Sequence, residues 1–173
     1  MQRCFLKASK SETHTKRRCV ERQKDQEEIS MAINSRKVAM VGCGFVGSSS
    51  AFALMQSKLF SEMVLIDADQ NRAEGEALDI SHGMAFASPM KIYAGTYDDI
   101  TDAAVIVITA GANQKPDETR LDLIRKNSAI MKSIVGEIKK REFHGILLIV
   151  SNPVDILTYI ALKESGYPAN RVI

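Results

Sequence analysis

Three cysteines, an odd number without paired spacing, are too few and too scattered for a disulfide framework or a zinc site. Cys4 and Cys19 lie in a polar leader, and Cys43 sits between two glycines as a small filler. A reducing, cytoplasmic compartment and a chain without bound metal are the expectations. The sequence also lacks an apolar run long enough to cross a bilayer, and its leader lacks the apolar centre of a secretion signal. Net charge is nearly absent, +2 at pH 7, and what there is sits unevenly. Residues 1–30 hold eight Lys and Arg against five Asp and Glu, a surplus of three that leaves the remainder at −1. The body of the chain therefore has no basic excess to draw nucleic acid or an anionic membrane surface, and neither is expected as a partner. Lys16-Arg17-Arg18 suits a transit peptide on charge, but the five acids argue against one. No internal repeat or low-complexity segment is apparent.

What is present is a chain of 173 residues, long enough for one well-buried domain. Residues 1–33 offer few apolar side chains to bury and are expected to form a disordered polar extension, with the domain running 34–173. From Arg36 onward short β-branched runs alternate with longer helical segments, the pattern of an α/β fold with a doubly wound parallel sheet. The spacing predicts strands near 37–42, 63–67, 91–95, 104–109 and 145–150, and helices near 45–58, 70–86, 121–143 and 154–165. The second helix carries Ala73, Ala77, Leu78 and Ile80 beside a charged face of Arg72, Glu74, Glu76 and Asp79. Val105-Ile106-Val107-Ile108 and Ile146-Leu147-Leu148-Ile149-Val150 are continuous apolar runs, as in strands buried on both faces, and should form the centre of the sheet. Arg171-Val172-Ile173 begins a sixth strand, so the sheet is expected to be truncated there.

The first strand ends in Gly42-Cys43-Gly44-Phe45-Val46-Gly47, and Asp67 closes the next apolar run twenty residues after Gly47. This is the G-x-G-x-x-G spacing in its confirming context: strand before, helix after, acid on the neighbouring strand. Gly42 permits the tight turn, Gly44 lets a pyrophosphate approach the backbone, and Gly47 lets the helix lie close to the sheet. The helix beginning near Phe45 points free N–H groups and its positive dipole end at the phosphates. Asp67 can accept hydrogen bonds from a ribose diol and would repel a 2′-phosphate. A Rossmann unit that binds NAD in preference to NADP is the reading.

Further along, Ile108-Thr109-Ala110-Gly111-Ala112-Asn113-Gln114-Lys115-Pro116-Asp117-Glu118-Thr119-Arg120-Leu121-Asp122-Leu123, then Lys126-Asn127, then Val150-Ser151-Asn152-Pro153-Val154-Asp155 follow in order. With the glycine turn, these motifs make residues 36–173 resemble the NAD-dependent L-lactate dehydrogenases of the lactate/malate dehydrogenase family. The loop 110–122 follows a strand at the carboxyl edge of the sheet, where open α/β folds bind ligands, and its composition suits a mobile lid. The resemblance makes Arg120 the catalytic lid arginine, which polarises the reacting carbonyl as negative charge gathers on its oxygen. It assigns substrate binding to Gln114, Arg120, Asn152 and Asp155. Gln114 occupies the position where malate-type members carry Arg for a second carboxylate. A neutral amide there favours pyruvate and L-lactate over oxaloacetate and malate. Asp155 suits the first turn of the following helix better than a substrate contact, since an acid there is favourable with no ligand involved.

The resemblance also carries cofactor contacts to Gly111 and Ala112, beside the pyrophosphate and ribose, and to Val150 and Asn152 at the nicotinamide. Val46, Arg72, Tyr97 and Ser133 match weaker cofactor positions; each equally suits an ordinary role as core, solvated helix, turn or helix-face residue. The family's proton-exchanging histidine, its orienting aspartate and its carboxylate-clamping arginine match nothing up to Ile173. His14, His82 and His144 are not expected to replace that histidine. The implied function is therefore hydride transfer between NADH and pyruvate, or NAD and L-lactate, by a larger homo-oligomeric enzyme. The 173 residues alone are expected to be inactive. A malate dehydrogenase and a catalytically silent NAD-binding module are the alternatives.

Overall fold

The computed structural model describes residues 33–114 and 117–173, apart from the side chain of Phe86. The disordered leader expected over 1–33 falls outside the described residues, Ile33 excepted. Asn34–Ile173 forms one compact unit. Its strands are β1 (Asn34–Val41), β2 (Glu62–Ile66), β3 (Lys91–Ala94), β4 (Ala103–Ile108) and β5 (Ile146–Ile149). The helices are α1 (Phe45–Ser57), α2 (Gln70–His82), α3 (Arg120–Lys139) and α4 (Val154–Ser165).

All strand pairs are parallel, in the order β3-β2-β1-β4-β5. Successive side chains on a strand point to opposite faces, so each strand feeds two cores. Ala39, Val41, Val64, Ile66, Ile106 and Ile108 pack with Met131, Ile134, Val135 and Ile138 of α3 and with Leu157 and Ala161 of α4. Val38, Met40, Met63, Leu65 and Val107 pack with Ala51 and Met55 of α1 and with Ala73, Ala77 and Ile80 of α2. Two helices thus cover each face, giving the doubly wound arrangement. The strand order reverses between β1 and β4, and a cleft opens there at the carboxyl edge. Past β5, Val172 makes a parallel bridge with Leu147, and the Ile173 N–H donates to the Leu147 carbonyl at 2.9 Å. Only the single bridge residue Val172 stands where a sixth strand was expected, since Arg171 closes a 3-10 turn, and among the described residues β5 therefore lies at the edge of the sheet and not at its centre as expected.

Three local features differ from expectation. The α-helical part of α2 stops at His82, and Gly83–Phe86 tightens into a 3-10 turn. A Cβ on Gly83 would stand 3.0 Å from Met55 and Phe52, so this turn tucks closely under α1. Leu78 is 62% exposed because it lies well around the helix from Ala73, Ala77 and Ile80, which are buried. α3 ends at Lys139, where four more residues were expected. Glu142 adopts φ 51°, and Gly145 passes so near the Ala103 and Ala104 carbonyls that any Cβ would collide, so the helix must stop early to feed β5 against β4.

Candidate functional site

The elbow between β1 and α1 shows why glycine occupies its three positions. Gly42 has φ 102°, and a Cβ there would lie 2.5 Å from the Ala110 nitrogen. A Cβ on Gly47 would overlap the Gly42 carbonyl oxygen and crowd Thr109 Oγ1 at 2.8 Å. Gly44 is exposed and faces open space, so its bareness serves whatever approaches from outside. Gly44 also caps α1 without a side-chain acceptor, and the first turn contains no acid. The other three α-helices have one or the other: Asp69 caps α2, Thr119 caps α3, and Asp155 stands in the first turn of α4. α1 alone among them presents uncompensated N–H groups, the arrangement that binds an anion.

Asp67, just beyond β2, is pinned against this elbow. Its Oδ2 accepts from the Cys43 N–H at 2.6 Å and its Oδ1 from the Asp69 N–H at 2.9 Å. Each oxygen keeps acceptor capacity for a hydroxyl. Burial, then the negative charges of Asp67 and Glu76, push the Cys43 thiol up to about 12. It therefore stays protonated and serves as packing, not as a nucleophile.

A cavity of about 540 Å³ opens over the elbow. Gly42, Gly44, Asp67, Arg72, Tyr97, Gly111, Ala112 and Ser133, eight of the expected cofactor residues, line it. Burial and the charge of Glu137 push the Tyr97 phenol up to about 12, so it presents a neutral ring and hydroxyl. Arg141 holds that wall: its guanidinium lies 5.6 Å from the Tyr97 ring centre, and it donates to Asp98 at 2.8 Å and Glu137 at 2.7 Å. Thr109, Ile130, Ile134 and Glu137 line the cavity unannounced. The signal for the last three was available, since with Ser133 they recur at helical spacing along one face of α3. Thr109 donates to the Gly42 carbonyl at 2.7 Å, a contact 67 residues apart in sequence.

The remaining expected cofactor residues lie elsewhere. Gly47 is buried inside the elbow, Val46 is 57% exposed on the first turn of α1, and Val150 packs against the α1–α2 side of the sheet. Asn152 faces a second cavity, of about 670 Å³, whose lining also includes Gln114, Arg120 and Asp155. All four residues expected to meet the substrate are thus brought together.

Arg120 is the first residue of α3, and its place is set by a capping box. The Asp122 N–H donates to Thr119 Oγ1 at 3.2 Å, and Thr119 Oγ1 donates to the Asp122 carboxylate at 2.6 Å. That hydroxyl bond, with a second from the Thr119 N–H at 3.3 Å, holds the Asp122 carboxyl below its ordinary range. Gln114 Nε2 donates to the Glu118 carbonyl at 2.8 Å, and the Glu118 side chain pairs with Lys126. Asn127, buried between the cavities, contacts both of their walls. His82 and His144 are exposed and line neither cavity.

Residues 36–173 match the family model of the lactate/malate dehydrogenase NAD-binding domain. The chain is 56% identical over 139 residues to L-lactate dehydrogenase of Priestia megaterium, a match covering 80% of this chain and 44% of that enzyme. It is 56% identical over 137 residues to L-lactate dehydrogenase 1 of Clostridium acetobutylicum, covering 79% and 44%. The minor L-lactate dehydrogenase of Enterococcus mundtii in its ligand-bound form superposes with a TM-score of 0.78 at 50% identity, over 80% of this chain and 44% of that one. The chain thus spans less than half the length of these relatives. On the family match and the architecture together, the chain belongs to the NAD-binding domains of the lactate/malate dehydrogenase family, and its cofactor is NAD.

Proposed function

We propose that this unit is the cofactor-binding part of an NAD-dependent L-lactate dehydrogenase acting between pyruvate and L-lactate. The observation that carries this reading is the composition of the outer cavity. Among its described lining residues Arg120 is the one cation, Gln114 and Asn152 are neutral amides, and Asp155 is an acid. One carboxylate and one polarised carbonyl suit such a wall. A second carboxylate would be desolvated without a partner beside Asp155, which opposes oxaloacetate. The names of the relatives support the same substrate.

In this reading the first-turn amides of α1 hold the pyrophosphate over bare Gly44, with Val46 on the same turn. Asp67 takes the ribose hydroxyls of the adenosine half, and its charge disfavours a 2′-phosphate. Arg72, Tyr97 and Ser133 border the adenosine end, while Gly111 and Ala112 flank the pyrophosphate. Val150 and Asn152 stand toward the nicotinamide, which when bound supplies or accepts the hydride. Arg120, exposed at the mouth of the outer cavity, stabilises charge on the substrate oxygen, an effect that strengthens as bound substrate displaces water, and Gln114 reads the group beyond the carbonyl.

The test is a fluorescence titration of the 173-residue chain with NADH and NADPH, followed by pyruvate-dependent oxidation of NADH. Saturable NADH binding, at least about tenfold tighter than NADPH, is expected from Asp67. Equal affinity for the two would overturn the assignment of Asp67. A silent NAD-binding module has one observation in its favour: neither described histidine reaches a cavity, and a hydride transfer without a positioned proton partner loses roughly 10²-fold to 10⁴-fold in rate. NADH binding without turnover is the expected outcome for the chain by itself. In the whole enzyme, Gln114→Arg should shift preference toward oxaloacetate, and unchanged relative kcat/KM for the two acids would remove Gln114 from the specificity role.

A further inference from the structure

Asn127 is 4% exposed, yet both ends of its amide are hydrogen-bonded. Its Oδ1 accepts from the Ala112 N–H at 2.8 Å, and its Nδ2 donates to the Asn152 carbonyl at 3.0 Å. Those two partners lie on different segments. Ala112 belongs to the wall of the inner cavity, after β4, and Asn152 to the wall of the outer cavity, after β5. Asn127 stands on α3, two turns in from Arg120, and its carboxamide also lies 3.5 Å from where a Gly111 Cβ would be. A rigid helix therefore holds both loops through one planar group with one donor side and one acceptor side.

Resting on the two-cavity reading above, we propose that Asn127 is a positioning residue that locks the Gly111-Ala112 segment to the Asn152 turn, so that dinucleotide and substrate are bound in one common frame. The side chain lines neither cavity; it acts by fixing two backbone groups. Only a side chain offering an acceptor and a donor at one carbon does this. Leu fills the space and breaks both bonds, leaving a buried N–H and a buried C=O unpaired. Asp keeps the acceptor for Ala112 but, when ionised, turns a second acceptor on the Asn152 carbonyl. When protonated, Asp regains an O–H donor and restores the pattern of the amide.

The experiment uses the 173-residue chain with Asn127→Leu and Asn127→Asp, measured by NADH titration at pH 5 to 8 well below the melting temperature, each variant as a ratio to wild type at the same pH. Asn127→Leu should weaken NADH binding about tenfold at every pH. Asn127→Asp should be weakened at pH 8 and recover toward wild type as the pH falls. Amide exchange of Ala112 in the free chain gives a second readout: faster by about tenfold or more in Asn127→Leu and still protected in Asn127→Asp. Protonation of a buried aspartate would also restore global stability, so melts are run at each pH, and NADH binding that recovers only in step with the folded fraction overturns the proposal. Should the leucine variant fail to fold, the aspartate variant carries the test. If wild type binds NADH and Asn127→Asp binds equally at all pH, or is equally weakened at all pH, the proposal is overturned while the nucleotide reading stands. Wild type that binds no NADH overturns the nucleotide reading itself, and this proposal with it.

Discussion

The two edges of the sheet treat polar groups in opposite ways. At the amino edge Lys37 is 5% exposed, its Nζ 2.7 Å from Asp102 and 3.5 Å from Glu62. Glu62 in turn receives Lys91 at 3.2 Å and the Tyr93 hydroxyl at 3.0 Å, so every member has a partner on a neighbouring strand or loop. At the carboxyl edge the polar groups are left open. The amides of the first turn of α1 have no capping side chain, and Asp67 is held by two backbone N–H groups with no cation at ion-pair distance among the described residues. Burying a charge is costly unless it is matched, so the matched cluster belongs to folding. The unmatched groups are tolerable because they face a cavity, and on the proposed function they are the ones that meet a ligand.

That division predicts damage of two kinds. Gly47→Ala should be the most severe substitution, because its Cβ would overlap the Gly42 carbonyl and force the elbow apart. Overpacking of this sort costs about 3 kcal/mol at the high end, and an elbow opened to relieve it should lose roughly 100-fold in NADH affinity. An alanine variant that binds NADH normally would show that the close approach at the elbow has no role in binding.

Lys37→Met should do the reverse: a stability loss of about 2 kcal/mol, since Asp102 and Glu62 are left without their buried cation, with NADH affinity changed less than twofold. The pH dependence carries a sign. Burial alone would lower the Lys37 pKa, but the hydrogen bond to Asp102 and the attraction of Tyr93, Asp102 and Glu62 outweigh it and leave it raised. Its contribution is therefore complete below the unfolded value of about 10.4 and fades as pH rises through the folded one. Burial opposes ionisation of Glu62 too, but Lys91, Tyr93 and Lys37 prevail and hold it low, so its contribution is lost as the pH falls through its folded value. Thermal melts from pH 3 to 11 should show a flatter alkaline limb in the methionine variant. A change in NADH affinity as large as the change in stability would join the two edges into one system.

The same asymmetry decided what could be read from residue order. The elbow and its acid lie within one βαβ unit, where each residue type has a local steric duty, and the apolar runs announce five strands before any contact is known. The amino-edge cluster gave no such sign. Lys37 meets Glu62 and Asp102 only because β1 lies between β2 and β4, and nothing marks those residues as different from solvated charges. Thr109 and Asn127 stand among the motif residues without an expected role for a related reason: each acts on a backbone group of a distant segment, a target that side-chain pattern does not record. The end of α3 was misjudged because the apolar periodicity runs on toward Phe143, while Glu142 and Gly145 turn the chain. Gln114, Arg120, Asn152 and Asp155 converge on one cavity, and their grouping came from family resemblance, not from spacing.

Asp67→Asn is the next test in size. It keeps the shape of the side chain and the hydrogen bond to one backbone amide, but removes the charge that disfavours a 2′-phosphate. NADH should bind about tenfold more weakly, roughly one charge-assisted bond, and the preference over NADPH should narrow, as read by parallel titrations. A variant that loses NADH affinity while discriminating as before would assign selectivity to another group.

Thr119→Ala should have the smallest effect and probes the division within the carboxyl edge itself. Loss of an N-cap hydroxyl costs about 1 kcal/mol, and here it would fray the turn that carries Arg120 at the mouth of the outer cavity. Asp122 loses the hydroxyl bond that holds its carboxyl low, so the part of the stability that wild type sheds as pH falls through that group should shrink. The inner cavity does not include Thr119, and its elbow is braced separately by Thr109 and Asp67. NADH affinity of the chain should therefore stay within twofold of wild type, while on the proposed function a longer protein that contains this unit should show a higher KM for pyruvate through a less ordered Arg120. Equal losses in both measurements would mean that the dinucleotide and the substrate wall share the first turn of α3 as well as Asn127.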